Sequence, residues 1–129
     1  MRKSGILNRH LAGALAELGH GHEVLVCDAG MPIPVGPRVV DLAFRAGVPS
    51  FAEVLDGLLD ELVIEGATAA HEVRAANPAA TALLEAHFPA LELVPHEKLK
   101  SLSAGARLVV RTGEAQPYAN VLLRCGVFF

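Results

Sequence analysis

The sequence predicts one three-layer α/β domain built on a mostly parallel sheet of about six strands. Three observations lead there. Short apolar runs rich in Val and Leu alternate along the chain with segments of helical periodicity. Clusters of Gly, Pro and Asn punctuate the junctions between them. A chain of 129 residues, with no internal repeat, linker or low-complexity segment, holds one core without metal or disulfide support, so residues 1–129 form a single domain.

Each element has a local reason. Leu7, Leu11, Leu15 and Leu18 share one helical face, with Asn8 as N-cap and Gly19 as the stop, so the first element is a short helix. Glu23 to Cys27 (EVLVC) is a buried strand that delivers Asp28 at its carboxyl end. Ala29 to Pro37 carries Pro32, Pro34, Gly36 and Pro37 and is a rigid loop. Arg38 to Ala43 is the second strand. Ser50 and Glu53 form a capping box for a helix whose apolar face is Val54, Leu55, Leu58 and Leu59. Leu62 to Ile64 is a third short strand, followed by an alanine-rich helix over about Thr68 to Ala76 and another over about Ala79 to His87. Leu91 to Val94 is strand, His96 to Leu102 a helical turn or short helix, and Arg107 to Thr112 a β-branched strand. Gly113 to Pro117 breaks the chain before a last strand over Asn120 to Cys125 and the apolar tail GVFF.

Composition narrows the function classes. Hydrophobic residues make up 52% of the chain, above the level of about 45–50% usual for soluble domains, and the surplus is best hidden in a subunit interface. A homo-oligomer is expected. A membrane span needs about 18 or more apolar residues, whereas the longest stretch without Asp, Glu, Lys or Arg is ten residues, Ala75 to Leu84. Asn8, Arg9 and His10 interrupt the apolar segment that follows Arg2 and Lys3, so no signal peptide is read and a cytoplasmic location is expected. Cys27 and Cys125 lack CxxC spacing and read as buried free thiols. A net charge of −3 without a basic stripe argues against nucleic acid.

Ligands of open α/β sheets collect beyond the carboxyl ends of strands, which makes Asp28 a candidate. Just before its strand lies GHGH, Gly19 to His22. His20 and His22 are either solvated turn residues or, beside a bound hydroxyl compound, proton donors and acceptors at neutral pH. His-x-His also admits a metal, although Asp28 or His96 would have to supply a third ligand without a spacing signature. In Thr112 to Asn120 (TGEAQPYAN), Tyr118 and Asn120 offer a donor and acceptor on a flat ring and an amide of both polarities, a pairing suited to sugar hydroxyls; the alternative is a turn whose Tyr118 covers a core edge. No Walker loop, GxGxxG or GxSxG is present.

In chain order, the blocks KSGILN (Lys3 to Asn8), LGHGHEVLVCDAGMPIP (Leu18 to Pro34), GVPSF (Gly47 to Phe51), HEKLK (His96 to Lys100) and TGEAQPYAN before GVFF resemble the D-ribose pyranase family over nearly the whole chain. The CDAGMPIP loop and the HEKLK block distinguish it from the related fucose mutarotases, the alternative reading alongside a non-catalytic sugar-binding module. The resemblance implies an α/β/α sandwich with a mixed sheet, assembled as a ring-based homo-oligomer, commonly a decamer, without metal or organic cofactor. It implies a cytoplasmic isomerase of ribose catabolism that interconverts the pyranose and furanose forms of D-ribose so that a kinase receives the furanose. It further implies that His20 is the proton donor and that Asp28, His96, Tyr118, Ala119 (through its backbone) and Asn120 bind the sugar, with Lys100 within reach. His22 stands where these proteins often carry a different polar residue.

Overall fold

The computed structural model describes residues 1–129. In chain order it contains α1 (Arg9–Ala16), β1 (Glu23–Cys27), β2 (Arg38–Asp41), α2 (Phe51–Leu59), β3 (Ile64–Ala70), α3 (Val73–Ala76), α4 (Pro78–His87), β4 (Glu92–Val94), α5 (His96–Ser103), β5 (Leu108–Arg111) and β6 (Val121–Cys125). The six strands form one sheet in the order β2-β5-β1-β6-β3-β4. β1, β2 and β5 run parallel, β3 and β4 run parallel, and β6 is antiparallel to both of its neighbours. The sheet is therefore mixed.

Alternation along the strands builds two cores. On one face Val24, Val26, Leu108, Val110 and Leu123 pack with Leu11 and Leu15 of α1, Phe51, Leu55 and Leu58 of α2, and Leu84 of α4. On the other, Leu25, Val109 and Leu122 meet Leu99 of α5 and Met31 of the loop after β1. Local chemistry sets the helix ends as the sequence leads one to expect. The Asn8 side chain accepts from the Leu11 N–H, and Ser50 with Glu53 makes the reciprocal capping box of α2.

One expectation fails. Thr68 to Ala70 belong to β3 rather than to an alanine-rich helix, and β3 starts at Ile64 instead of ending there. Alanine favours helices in isolation, but Ala67, Ala69 and Ala70 are buried between β4 and β6, where pairing on both sides outweighs propensities worth only tenths of a kcal/mol. The helix that remains is the single turn α3.

No helix is long and apolar enough to cross a membrane. Both cysteines are free and buried, and burial beside Asp28 pushes the Cys27 thiol up to about 12, leaving it protonated and unreactive.

Candidate active site

The register brings three chain segments to one end of the sheet. Cys27 pairs with Arg111, Asp41 pairs with Arg111, and Val26 lies opposite Val121. The carboxyl ends of β1 and β5 and the amino end of β6 therefore converge, with Asp28 one residue past β1 and Asn120 one residue before β6. These two side chains interlock. The Asp28 N–H donates to Asn120 Oδ1 at 2.8 Å, and Asn120 Nδ2 donates to Asp28 Oδ2 at 3.1 Å. The Gly30 N–H donates to Asp28 Oδ1 at 3.0 Å.

Above this pair opens a cleft of about 340 Å³, lined among others by Met31, Pro32, His96, Glu114, Pro117 and Tyr118. That volume is at the small end of ligand sites, which suits a monosaccharide. His96 is the first residue of α5, and its N–H donates to both carboxylate oxygens of Glu72, at 3.1 and 3.0 Å. The imidazole meets the Tyr118 ring edge-on, with centroids 5.1 Å apart, and its buried Nδ1 has no partner. Tyr118 adopts a φ of 57°, a left-handed conformation uncommon for a residue with a side chain. Asn77 steadies this turn by donating to the Pro117 carbonyl at 2.9 Å.

Burial raises the Asp28 pKa above its ordinary value. The hydrogen bonds from Gly30, Asn120 and Met31, and the nearby His96, oppose that rise. The cleft thus presents a partly desolvated carboxylate fixed by hydrogen bonds, an imidazole, a phenol and an amide within one small volume. That set can hold several hydroxyls of a polyol and move protons among them.

The structure brings together four of the six residues singled out from the sequence: Asp28, His96, Tyr118 and Asn120. Ala119 does not line the cleft; its side chain is buried in the larger core. His20 lies elsewhere. It precedes β1, at the opposite end of a five-residue strand that spans roughly 16 Å. There it is exposed, 3.1 Å from Glu65, in a groove formed with Leu18, Leu62 and the tail residues Val127, Phe128 and Phe129. His22 accepts a hydrogen bond from the Gly19 N–H, and no group of three or more potential metal ligands forms around either histidine. Lys100 pairs with Glu97 at 2.8 Å, away from the cleft lining.

Three residues passed over in the sequence support the cleft. Glu72 holds the start of α5. Glu114 accepts from the Phe51, Ala115 and Gln116 N–H groups, and its own carbonyl accepts from the Ala29 N–H, joining α2, the loop after β1 and the turn before β6. Arg111 binds the carbonyl of Ala29. Only Glu114 had a sequence signal, as the third residue of TGE.

The chain is similar to known proteins over its whole length. A D-ribose pyranase of Streptomyces avermitilis is 89% identical and one of Streptomyces griseus subsp. griseus 81% identical, each over the whole of both chains. The structure of Bacillus subtilis RbsD complexed with D-ribose superposes with a TM-score of 0.95 at 42% identity, covering 100% of both chains. The model of the RbsD / FucU transport protein family matches residues 1–128. With the family model covering residues 1–128 and full-length relatives 81–89% identical, the chain belongs to the RbsD / FucU family.

Proposed function

We propose that this protein is an isomerase that interconverts the pyranose and furanose forms of D-ribose. The observation that carries the reading is the cleft at the carboxyl end of β1, where Asp28, His96, Tyr118 and Asn120 converge in a chain that matches a ribose-bound relative from end to end. In this reading Asp28 and Asn120 accept and donate hydrogen bonds to sugar hydroxyls, Tyr118 covers one face of the ring, and His96 binds a further hydroxyl. The Ala119 contribution is limited to its main chain.

Opening a cyclic hemiacetal needs a base for the anomeric hydroxyl proton and an acid for the ring oxygen. The ring carbon–oxygen bond breaks, the open-chain aldehyde forms, and addition of a different hydroxyl to the carbonyl closes the other ring size as the protons return. No stable charge accumulates, so general acid–base help of about 10²–10⁴-fold over the spontaneous reaction suffices. His20 is the proton donor of this scheme. Because it lies at the far end of β1 in its own chain, it serves the cleft of a neighbouring copy. Its groove ends in Phe128 and Phe129, 90% and 91% exposed, an apolar tail suited to docking on another subunit. A ring-based homo-oligomer, a decamer in this reading, supplies that arrangement, and the protein works in the cytoplasm in ribose catabolism, delivering the furanose to a kinase.

Magnetisation-exchange NMR on D-ribose tests the reading. Sub-stoichiometric protein accelerates pyranose–furanose exchange, and His20→Ala reduces the acceleration by at least about tenfold while ribose still binds. Exchange no faster than in buffer refutes it.

A further inference from the structure

The guanidinium of Arg111, at the end of β5, does not itself line the cleft, yet all three of its nitrogens are committed. Nε and Nη2 donate to the carbonyl of Ala29, at 3.2 and 2.9 Å, and Nη1 donates to both carboxylate oxygens of Asp41, at 3.2 and 2.9 Å. That carbonyl belongs to the peptide group whose N–H is that of Gly30, the donor to Asp28 Oδ1. A peptide group is planar, with its C=O and N–H antiparallel. Fixing the oxygen therefore fixes the direction in which the N–H points. A cation on the oxygen also polarises the whole group and strengthens the N–H as a donor. On the preceding peptide, the Ala29 N–H is tied to the Glu114 carbonyl at 2.9 Å, so the turn is held from both sides.

We propose that Arg111 is a positioning residue for the sugar reaction, acting on Asp28 through the Ala29–Gly30 peptide and anchored in turn by Asp41. This rests on the functional reading above, since it assigns Asp28 its task at the sugar. Arg111 keeps the Asp28 carboxylate in place and, by strengthening the Gly30 donor, works against the rise that burial imposes on its pKa. Two donors on one carbonyl are a property of the planar guanidinium fork that an ammonium does not reproduce. The other charged or titratable groups about Asp28 are His96 from α5, Glu114 and Tyr118 from the turn before β6, and Cys27 of β1, which stays protonated.

The test uses full-length Arg111→Met and Asp41→Asn proteins, with D-ribose as ligand. For Arg111→Met, ribose affinity falls about tenfold, the Gly30 amide proton moves upfield as its hydrogen bond weakens, and the Asp28 carboxyl carbon titrates at higher pH than in the wild type. Arg111→Lys restores less than half of the affinity loss. Asp41→Asn leaves the two bonds to Ala29 possible but slackens their anchor, so the same changes appear at about a third of the size. A folded Arg111→Met with wild-type affinity and an unmoved Gly30 resonance overturns the proposal. Should Arg111→Met fail to fold, an Asp41→Asn protein without either change overturns it equally. Failure of the wild type itself to bind ribose instead refutes the function and leaves the Gly30 and Asp28 resonances to judge the clamp.

Discussion

At the scale of single residues, the site is defined by how Asp28 is held. It is a buried carboxylate without a cation in direct contact, kept in place by amides and by the side chain of Asn120. Its raised pKa has a consequence for stability. Below the ordinary value of 3.8 both folded and unfolded chains carry the proton. As pH rises, the unfolded chain releases it first, the folded chain binds more protons, and the stability associated with neutral Asp28 is lost as pH passes through the higher folded-state value. The urea midpoint of the sugar-free wild type, taken relative to Asp28→Ala so that other groups cancel, therefore declines between pH 3 and pH 7. A relative midpoint that climbs over the same range would mean that the folded protein favours the charged form. Residue chemistry also explains which parts of the site were legible. Asp28 stands out by its place at a strand's carboxyl end, whereas Tyr118 and Asn120 stand out by their side-chain chemistry in the segment Thr112 to Asn120. Arg111 reads as an ordinary strand residue, because its importance comes from a carbonyl 82 positions away in the chain.

Secondary elements show the same division. Helix caps at Asn8 and Ser50 and the compact strand EVLVC follow from neighbours in sequence, and the structure reproduces them. The strand β3 does not. It is set by pairing with β4 and β6, a long-range constraint that no window along the chain reveals. The turn after β5 is another such case. Gly113 accepts from the Gly47 N–H and donates to the Pro49 carbonyl at 2.9 Å, and a Cβ there would collide with the carbonyl of Val48 and crowd that of Arg45 at 2.7 Å. Because backbone rather than a flexible side chain stands in the way, Gly113→Ala costs about 2–4 kcal/mol of stability and loosens the segment that carries Glu114 and Tyr118. Chemical denaturation measures this; a loss below about 0.5 kcal/mol would show that the turn yields freely.

For the whole molecule, the sheet order matters more than any one helix. Placing the antiparallel β6 between β1 and β3 brings Asn120 beside Asp28 and carries the C-terminal residues back to the end where His20 lies. One chain therefore has its cleft and its exposed histidine at opposite ends. The sequence shows both sets of residues and an apolar surplus, but not their separation, which depends on topology. The exposed tail and groove predict association: light scattering at micromolar concentration gives a multiple of the chain mass, and Phe128→Asp combined with Phe129→Asp shifts it toward the monomer with loss of ribose exchange. A monomeric wild type would remove the reason for expecting His20 to serve another copy. Complementation puts the shared site to the most direct test. His20→Ala and Asp28→Ala proteins each lose at least about nine tenths of the acceleration of ribose pyranose–furanose exchange. Unfolded together and refolded as mixed oligomers in equal amounts, they recover about a quarter of the wild-type rate, since each contributing copy is intact for its part half of the time. Absence of any recovery in folded mixed oligomers, or full activity of His20→Ala alone, would contradict a ribose site built from one copy's cleft and another's histidine.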